Sequence, residues 1–485
     1  MSHPNPHHER RWTILAVLGL AQLMVVLDAT IVNIALPSAQ KALHFSNDNR
    51  QWIVTAYSLA FGSLLLLGGK ISDLFGRKWT FVAGLSGFAL ASAVGGAAQS
   101  FEMLATARAF QGASGALLAP AALSLLTTTF PDTRERNKAF GIFGAIAGSG
   151  ASVGLLLGGL LTEYLDWRAV MYVNVLIAIV AVSGAAVLLR NQAPASKPRL
   201  DIPGVATVSL GLFALVYGFN HAQTTSWGNT LTLAVLAAGL VLLAAFAVIE
   251  RHVANPLLPP RVVMDRNRAA AFISMGLAAI AMFGVFLFLT YYLQVNRGYS
   301  PVTTGLAFLP MTLVVMVTAV LATTRLRPRV GPRPLMVAGM ALGAAGMLIL
   351  RGIGLDTSYA SGVMPGLILM GVGLGLVFST ALNSATLGVT QDDAGVASAT
   401  VNAAQQVGAS LGVALLSTLA ASAASHVIAG RRPTPVLLAR AAVHGYTTAF
   451  TISAAIFAAA AVVAGLLFTG KTAQPAANGQ PALAA

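Results

Sequence analysis

The sequence predicts an all-α integral membrane protein with fourteen membrane-spanning helices, on the basis of its composition, its apolar runs and an internal repeat. Hydrophobic residues make up 56% of the chain and charged residues only 9%. Because a soluble domain carries roughly 25% charged residues, a chain this apolar must expose much of its surface to lipid. The sequence contains no cysteine, which excludes disulfides, thiolate metal sites and thiol nucleophiles.

Fourteen apolar runs are each long enough to cross the hydrocarbon core of a bilayer, which is ~30 Å thick and takes about 20 helical residues. An even number of spans places both ends of the chain on the same side of the membrane. The runs lie near residues 13–36, 50–69, 79–98, 102–129, 139–161, 168–189, 203–221, 229–249, 269–295, 303–325, 333–352, 361–387, 395–419 and 446–469.

The basic residues are distributed unequally between the segments that connect these spans. With a cytoplasmic N-terminus, 20 of the 29 Lys and Arg residues lie in cytoplasmic segments and 8 in the opposite set, while Arg108 lies inside a span. Because cytoplasmic loops carry an excess of Lys and Arg, we expect both ends to be cytoplasmic and the protein to lie in the cell (inner) membrane. The same bias accounts for most of the net charge of +14, so no nucleic acid partner is expected.

An internal repeat divides the chain into two halves. Residues 75–84 read FGRKWTFVAG and residues 330–339 read VGPRPLMVAG, and each segment leads from a short basic loop into a helix. The match equates spans 1–6 with spans 9–14, which predicts two six-helix bundles with spans 7 and 8 inserted between them. The predicted divisions are a cytoplasmic tail (1–12), the first bundle (13–190), a cytoplasmic linker (191–202), two inserted helices (203–250), a second cytoplasmic linker (251–268), the second bundle (269–470) and a disordered cytoplasmic tail (471–485).

Asp28 is the one acidic residue of 15 that lies well inside an apolar run. A carboxylate in hydrocarbon is costly unless it is paired, hydrated or protonated, so Asp28 is interpreted as a proton-coupling residue, with a structural polar pair as the alternative. Arg108 is the only base inside a span, where it either acts with Asp28 or snorkels to the nearer surface. Counted at 1.5 Å per residue, the two lie ~12 Å and ~9 Å from the outer ends of their spans. We therefore expect them to be close together at similar depth.

The loop after the second span reads GGKISDLFGRKWT and combines several residue types that suit a helix–helix turn. Gly69 and Gly76 permit close approach and a tight turn. Asp73 lies near the start of the third span, where the helix dipole favours an anion. Arg77 and Lys78 fit the cytoplasmic bias of basic residues, which is sufficient to explain them.

Two further patterns concern packing and a substrate cavity. In the fifth span Gly150, Gly154 and Gly158 recur every four residues beside Gly159, a stripe that lets helices pack closely. Polar residues at helical spacing in the thirteenth span and aromatic residues in the ninth are candidates for a substrate cavity. Interhelical hydrogen bonds, core packing or lipid contact explain them equally well. The candidates are Phe283, Phe286, Tyr291, Tyr292, Asn383, Asn402 and Gln405.

The sequence lacks the signatures of an enzyme or of an ATP-driven pump. The eight histidines are scattered, so no metal site is predicted, and no GxxxxGK[ST] phosphate loop is present. No cluster of catalytic residues occurs within the spans. We therefore expect no cofactor, with the proton gradient as the energy source.

The motifs resemble those of a known family. GGKISDLFGRK resembles the signature loop of the major facilitator superfamily, and the fourteen spans, LDATIVNIALP and WRAVMYVN look like its EmrB/QacA-type drug:proton antiporters. This resemblance implies a major facilitator fold, alternating access and proton-driven export. It makes Asp28 the proton-linked acid and assigns a gating role to Gly69, Asp73, Gly76, Arg77 and Lys78. It also places Arg108, Gln111 and Gly112 in a fourth-span motif tied to proton transfer.

The fifth span departs from the family pattern, because Ala151 and Leu155 stand where prolines are expected. The leading functional hypothesis is an antiporter that exports hydrophobic, often cationic, drugs or antibiotics and acts as a monomer in the lipid bilayer. The alternative is a narrow-specificity exporter or importer of an endogenous metabolite or natural product.

Overall fold

The computed structural model describes residues 10–46, 49–130, 132–189, 201–253, 256–258, 260–387, 391–432 and 434–469, and every regular element in them is helical. Most of the first predicted linker and the whole C-terminal tail lie outside these residues. The first half comprises α1 (Arg11–Leu43), α2 (Arg50–Phe75), α3 (Arg77–Gly96), α4 (Phe101–Thr129), α5 (Thr133–Tyr164) and α6 (Ala169–Leu188).

A two-helix hairpin follows, α7 (Ile202–Thr224) and α8 (Thr230–His252), and the short α9 (Pro260–Val263) leads into the second half. In that half α10 and α11 each continue into a π-helical turn, and another π-helical turn precedes α14. Its helices are α10 (Arg266–Tyr291), α11 (Pro301–Leu321), α12 (Arg327–Val330), α13 (Pro332–Leu350), α14 (Met364–Thr386), α15 (Gln391–Ile428) and α16 (Pro435–Leu467), with π-helical turns at Tyr292–Asn296, Ala322–Leu326 and Tyr359–Val363.

Twelve helical segments of the described chain are long and apolar enough to cross a membrane, so this is a multi-pass membrane protein. Two of the fourteen runs predicted from the sequence have no counterpart among these segments, the second and the fifth, which correspond to α2 and α5. Of α5, the described residues contribute a shorter apolar stretch, Val153–Tyr164.

The two halves repeat the same packing arrangement. In the first half α1 packs against α5 and α6, α3 against α4 and α6, and α2 against α4. In the second half α10 packs against α15 and α16, α13 against α14 and α16, and α11 against α14. The repeat extends to the turns that begin α3 and α13, where Gly76 has φ 90° and Gly331 has φ 78°. Glycine adopts these angles without the steric cost that a Cβ atom adds.

The halves meet along two lateral seams, one between α2 and α15 and the other between α5 and α11. These seams are equivalent under the internal repeat. The inserted hairpin breaks the equivalence, because α7 packs against both α2 and α15. Ser209 of α7 donates to the Ser63 carbonyl of α2 at 3.3 Å, and Thr418 of α15 donates to the Phe219 carbonyl of α7 at 3.2 Å.

Polar contacts also join the halves at the end of the molecule where α1 and α10 finish. The Tyr291 hydroxyl donates to Gln40 Oε1 at 2.5 Å, and the Arg50 guanidinium lies 4.2 Å from the centre of the Tyr291 ring. Across the α5–α11 seam, the Val302 N–H donates to Glu163 Oε2 at 2.9 Å. The two halves are therefore closed against each other at this end.

Candidate functional site

Asp28 and Arg108 form a buried ion pair inside the first half. Asp28 lies on α1 and has no solvent exposure, and Arg108 on α4 is 1% exposed. Arg108 Nη1 donates to Asp28 Oδ2 at 2.5 Å. The predicted proximity of the two residues is therefore present in the structure, and Arg108 does not snorkel to a surface.

Amide side chains from two further positions complete the surroundings of the Asp28 carboxylate. Gln111 Nε2 and Asn174 Nδ2 donate to Asp28 Oδ1 at 3.1 Å and 2.8 Å. Gln111 lies three residues after Arg108, a spacing that puts both side chains on one face of α4. Because every partner is a donor, the arrangement matches a carboxylate, which can only accept hydrogen bonds.

The Arg108 guanidinium is held from three sides. Nε donates to the Ile53 carbonyl at 3.1 Å, and Nη1 also donates to Gln111 Oε1 at 2.8 Å. The guanidinium carbon lies 4.3 Å from the centre of the Tyr57 ring, a cation–π contact. Buried charges are tolerated when they are paired and their hydrogen-bonding capacity is used. The site meets this condition with residues from α1, α2, α4 and α6.

Tyr57, Ser92 and Asn174 also belong to this site, although they are not among the predicted site residues. Ser92 accepts a hydrogen bond from Gln111 Nε2 at 2.7 Å and donates to the Phe88 carbonyl at 2.7 Å. Asn174 carried a usable signal, because it is an amide inside an apolar run, where polar side chains usually find a partner on another helix.

Tyr57 offers a test of how Arg108 is held. Its buried hydroxyl has no hydrogen-bond partner among the described residues, so the ring alone contacts the guanidinium. Tyr57→Phe should therefore transport at close to the wild-type rate, whereas Tyr57→Leu should lose a cation–π contact worth about 0.5–2 kcal/mol and transport more slowly. Initial transport rates in vesicles would decide this, and equal rates for Phe and Leu would contradict a role for the ring.

Gly112 brings α2 and α4 together beside the ion pair. A Cβ atom at Gly112 would overlap the Tyr57 carbonyl oxygen and lie 3.0 Å from the Phe61 nitrogen. The backbone of α2 can therefore approach α4 only where this position is glycine. Gly112 in this way positions Tyr57 over Arg108.

The glycine stripe of α5 lies against α1 on either side of the level of Asp28. Added Cβ atoms at Gly150, Gly154 and Gly158 would meet α1 residues, and one at Gly159 would meet α11 of the other half. The nearest atoms are Val26 Cγ1 at 3.0 Å for Gly150, Thr30 Oγ1 for Gly154, Ile31 Cγ1 at 2.8 Å for Gly158 and the Pro301 carbonyl oxygen at 2.8 Å for Gly159. These glycines serve packing within the first half and, at Gly159, between the halves.

The predicted gating loop is the turn between α2 and α3. Gly76 takes the positive φ of that turn, and Lys78 Nζ donates to the Ala186 carbonyl at the end of α6 at 2.9 Å. A Cβ at Gly69 would meet Pro120 Cβ at an ordinary 3.8 Å, so the predicted close approach is not found there. It occurs one residue earlier, where a Cβ at Gly68 would overlap the Ala116 carbonyl oxygen. The Asp73 side chain lies outside the described residues, and Arg77 is half-buried.

The described candidates for a substrate cavity make contacts of different kinds. Tyr291 contacts Gln40 across the halves, as described above. The buried Tyr292 donates to the Gly354 carbonyl at 2.8 Å, and Phe286 stacks on Phe308 with ring centres 5.4 Å apart. The remaining candidates lie on α14 and α15 or outside the described side chains: Asn383 donates to the Ser379 carbonyl of its own helix at 2.8 Å, Asn402 and Gln405 are half-buried, and the Phe283 side chain is not described.

Residues 18–413 match the sequence model of a family described as the Major Facilitator Superfamily. The chain is 48% identical to the puromycin resistance protein pur8 of Streptomyces alboniger over 471 aligned residues. The alignment covers 97% of this chain and 93% of that protein. It is 38% identical to the cephamycin export protein CmcT of Amycolatopsis lactamdurans over 416 aligned residues. This alignment covers 85% of this chain and 86% of that protein.

The fold is similar to that of a solved transporter. The crystal structure of an auto-inhibited POT family peptide transporter superposes with a TM-score of 0.70 and covers 98% of this chain and 99% of that one. Because the two sequences are only 16% identical, this likeness concerns the fold alone.

Proposed function

The chain belongs to the Major Facilitator Superfamily and is a transporter rather than an enzyme, and we propose that it exports hydrophobic, including cationic, drugs or antibiotics in exchange for protons. The names of its relatives support this class of substrate, because one is a puromycin resistance protein and another is a cephamycin export protein. In this proposal the protein acts as a monomer, is powered by the proton gradient and needs no cofactor.

The observation that carries the proton coupling is the buried Asp28–Arg108 pair. Protonation of Asp28 would remove the negative charge that compensates Arg108, and an uncompensated buried charge is costly. The Arg108 guanidinium would then gain by moving toward water or another acceptor. Such a movement would rearrange its contacts with Ile53 and Tyr57 of α2. Since α2 also forms one of the two seams between the halves, the protonation state of Asp28 would be linked to their relative position.

We also propose that α2 and α5 cross the membrane, which gives fourteen spans. They have 26 and 32 residues, or about 39 and 48 Å at 1.5 Å per residue. Both lengths exceed the ~30 Å hydrocarbon core, and both helices pack along partners that are themselves apolar enough to span it. With the basic residues on the cytoplasmic side, both termini face the cytoplasm. The closed contacts among Gln40, Arg50 and Tyr291 then lie on the outer side.

Transport into proteoliposomes tests the proposed exchange. The purified protein would be reconstituted into vesicles with an acidic lumen and offered puromycin, a cephamycin and lipophilic cations. Antiport predicts that compounds accumulate inside and that a protonophore abolishes the accumulation. Accumulation that needs the opposite pH gradient would indicate import with protons, and uptake indifferent to pH would contradict proton coupling. Transport of a single compound from the panel would favour the narrow-specificity alternative.

A disulfide across the α5–α11 seam tests alternating access. The chain contains no cysteine, so Glu163→Cys with Val302→Cys can be made without removing native thiols. Because these residues join the halves at the closed end, oxidation should block transport and reduction should restore it.

The matched control for this cross-link is Asn267→Cys with Thr469→Cys. These residues are also in direct contact, with the Thr469 N–H 2.8 Å from Asn267 Oδ1, but both belong to the second half. Oxidation of the control should leave transport intact. Undiminished transport by the oxidised Glu163–Val302 pair, with the cross-link verified by mass spectrometry, would contradict movement at this seam.

A further inference from the structure

Two acidic residues meet at the base of the inserted hairpin, far from Asp28 in the chain. Asp201 immediately precedes α7, and Glu250 lies in the last turn of α8. Each is only 5% exposed, although both occupy helix ends, where an acidic side chain would be expected to contact water. Burial of a carboxylate without a partner is unfavourable, so the hydrogen bonds of the pair identify what holds it.

One oxygen of each carboxyl group has a donor and the other has none. Asp201 Oδ1 accepts from the Gly204 N–H at 2.9 Å, which caps the start of α7, and Glu250 Oε2 accepts from the Leu258 N–H at 2.8 Å. The remaining oxygens, Asp201 Oδ2 and Glu250 Oε1, are buried and receive no hydrogen bond from the described residues. Buried polar atoms are seldom left without a partner, so a donor is missing at both positions.

The two oxygens without donors face each other. A Cβ atom at Gly204 would overlap Asp201 Oδ2 and lie 2.9 Å from Glu250 Oε1, so both oxygens lie against the same glycine. Two carboxylates whose oxygens lie this close repel, and one proton held between them would replace repulsion with a hydrogen bond.

No described Lys or Arg forms an ion pair with either carboxyl group. Among the described residues, the nearest charged or titratable ones in the chain are Arg251 and His252 at the end of α8 and Arg261 on α9, and all three are exposed. Lys197 and Arg199 precede Asp201 in the sequence but lie outside the described residues. The His252 ring nitrogen Nδ1 lies 2.8 Å from the Val248 carbonyl oxygen, within its own helix. The missing donor is therefore not supplied by a described cation.

We propose that Asp201 and Glu250 form a second proton-binding site, in which one proton lies between Asp201 Oδ2 and Glu250 Oε1 and joins the start of α7 to the end of α8. Binding forms one O–H bond on one carboxyl group and leaves the other as its carboxylate acceptor. Release returns the proton to water and leaves two facing negative charges. Because Asp201 lies at the end of one linker and Glu250 immediately precedes the next, release would loosen the hairpin where both linkers join it.

Infrared spectroscopy of the reconstituted protein tests the bound proton directly. The measurement would use the Asp28→Asn background, which removes the buried carboxyl group of the first half. A carbonyl-stretch band of a protonated carboxyl group should be present at neutral pH and should disappear in both Asp201→Asn and Glu250→Gln. Asp166→Asn, which removes an exposed acid, should leave the band unchanged. Absence of the band at neutral pH, or its persistence in both pair variants, would overturn the proposal.

Thermal unfolding as a function of pH gives a second readout that a purely structural role would not produce. While the folded pair holds a proton that the unfolded chain has released, stability falls as the pH rises. The fall should end where the pair is fully ionised. Glu250→Gln supplies an amide donor in place of the proton, so this variant should fold and lose most of that pH dependence, whereas Asp166→Asn should retain it. A profile for Glu250→Gln that matches the wild type would overturn the shared proton.

Discussion

Asp28→Asn should abolish proton-driven transport and leave the protein folded in the membrane. Asparagine keeps the shape of the side chain and an oxygen that can accept from Arg108, so the contacts of the site survive in part. It cannot gain or lose a proton, so accumulation against a pH gradient should fall to the level of vesicles without protein. Exchange of substrate in the absence of a gradient should persist, because it needs no net proton movement.

The matched control is Asp166→Asn, which changes an acid whose side chain is 55% exposed and outside the site. It should transport like the wild type. Gradient-driven accumulation by Asp28→Asn at the wild-type rate would remove Asp28 from the coupling mechanism. Asp28→Leu would be less informative, since removal of one partner of a buried ion pair costs about 3–5 kcal/mol and the variant could fail to fold.

Gly112→Ala should lower both stability and transport, although it adds a single methyl group. The added Cβ would overlap the Tyr57 carbonyl oxygen, which is backbone and cannot rotate away. Overpacking of this kind typically costs roughly 1–3 kcal/mol. Separation of α2 from α4 would also move Tyr57 and the Ile53 carbonyl away from Arg108. Transport rates and thermal unfolding of the purified variant provide the measurements.

Gly465→Ala serves as the control for this substitution. Gly465 also lies inside a helix, but a Cβ there meets Val337 Cγ2 at an ordinary 3.6 Å. Alanine favours a helix over glycine by about 1 kcal/mol, so this variant should be as stable as the wild type or slightly more so. Equal effects of the two substitutions would contradict the close contact of α2 and α4 as the cause.

The ion pair could be predicted from the sequence because its geometry depends on quantities that the sequence contains. Asp28 and Arg108 are charged residues inside apolar runs, and the fixed rise of the helix converts their positions into depth. Hydrophobicity also located most helices, but their ends were less predictable. The first span was predicted to end at residue 36, whereas α1 continues through Pro37 to Leu43 and stops where His44 takes a positive φ of 53°.

The rest of the site depends on which helix faces meet, and a single sequence does not contain this information. Ser92 and Tyr57 are ordinary residues in their own helices and acquire their contacts only when α3 and α2 pack on α4. The burial of Asp201 and Glu250 is not predictable from the sequence for a similar reason. Each lies at a helix end, where acidic residues are usually exposed, and Glu250 accepts from the Leu258 N–H only once the chain beyond α8 has folded back.

The placement of α7 makes the two flanks of the transporter, one at the α2–α15 seam and one at the α5–α11 seam, mechanically different. If the halves rock about their common axis, α5 and α11 slide along each other at their seam. On the other flank, α7 touches both moving bodies, so its contacts with Ser63 on one side and Thr418 on the other cannot both remain fixed. Among the described helices, a lipophilic molecule dissolved in the bilayer therefore meets α5 and α11 directly on one flank, whereas on the other flank it meets α7, which packs against both helices of the α2–α15 seam.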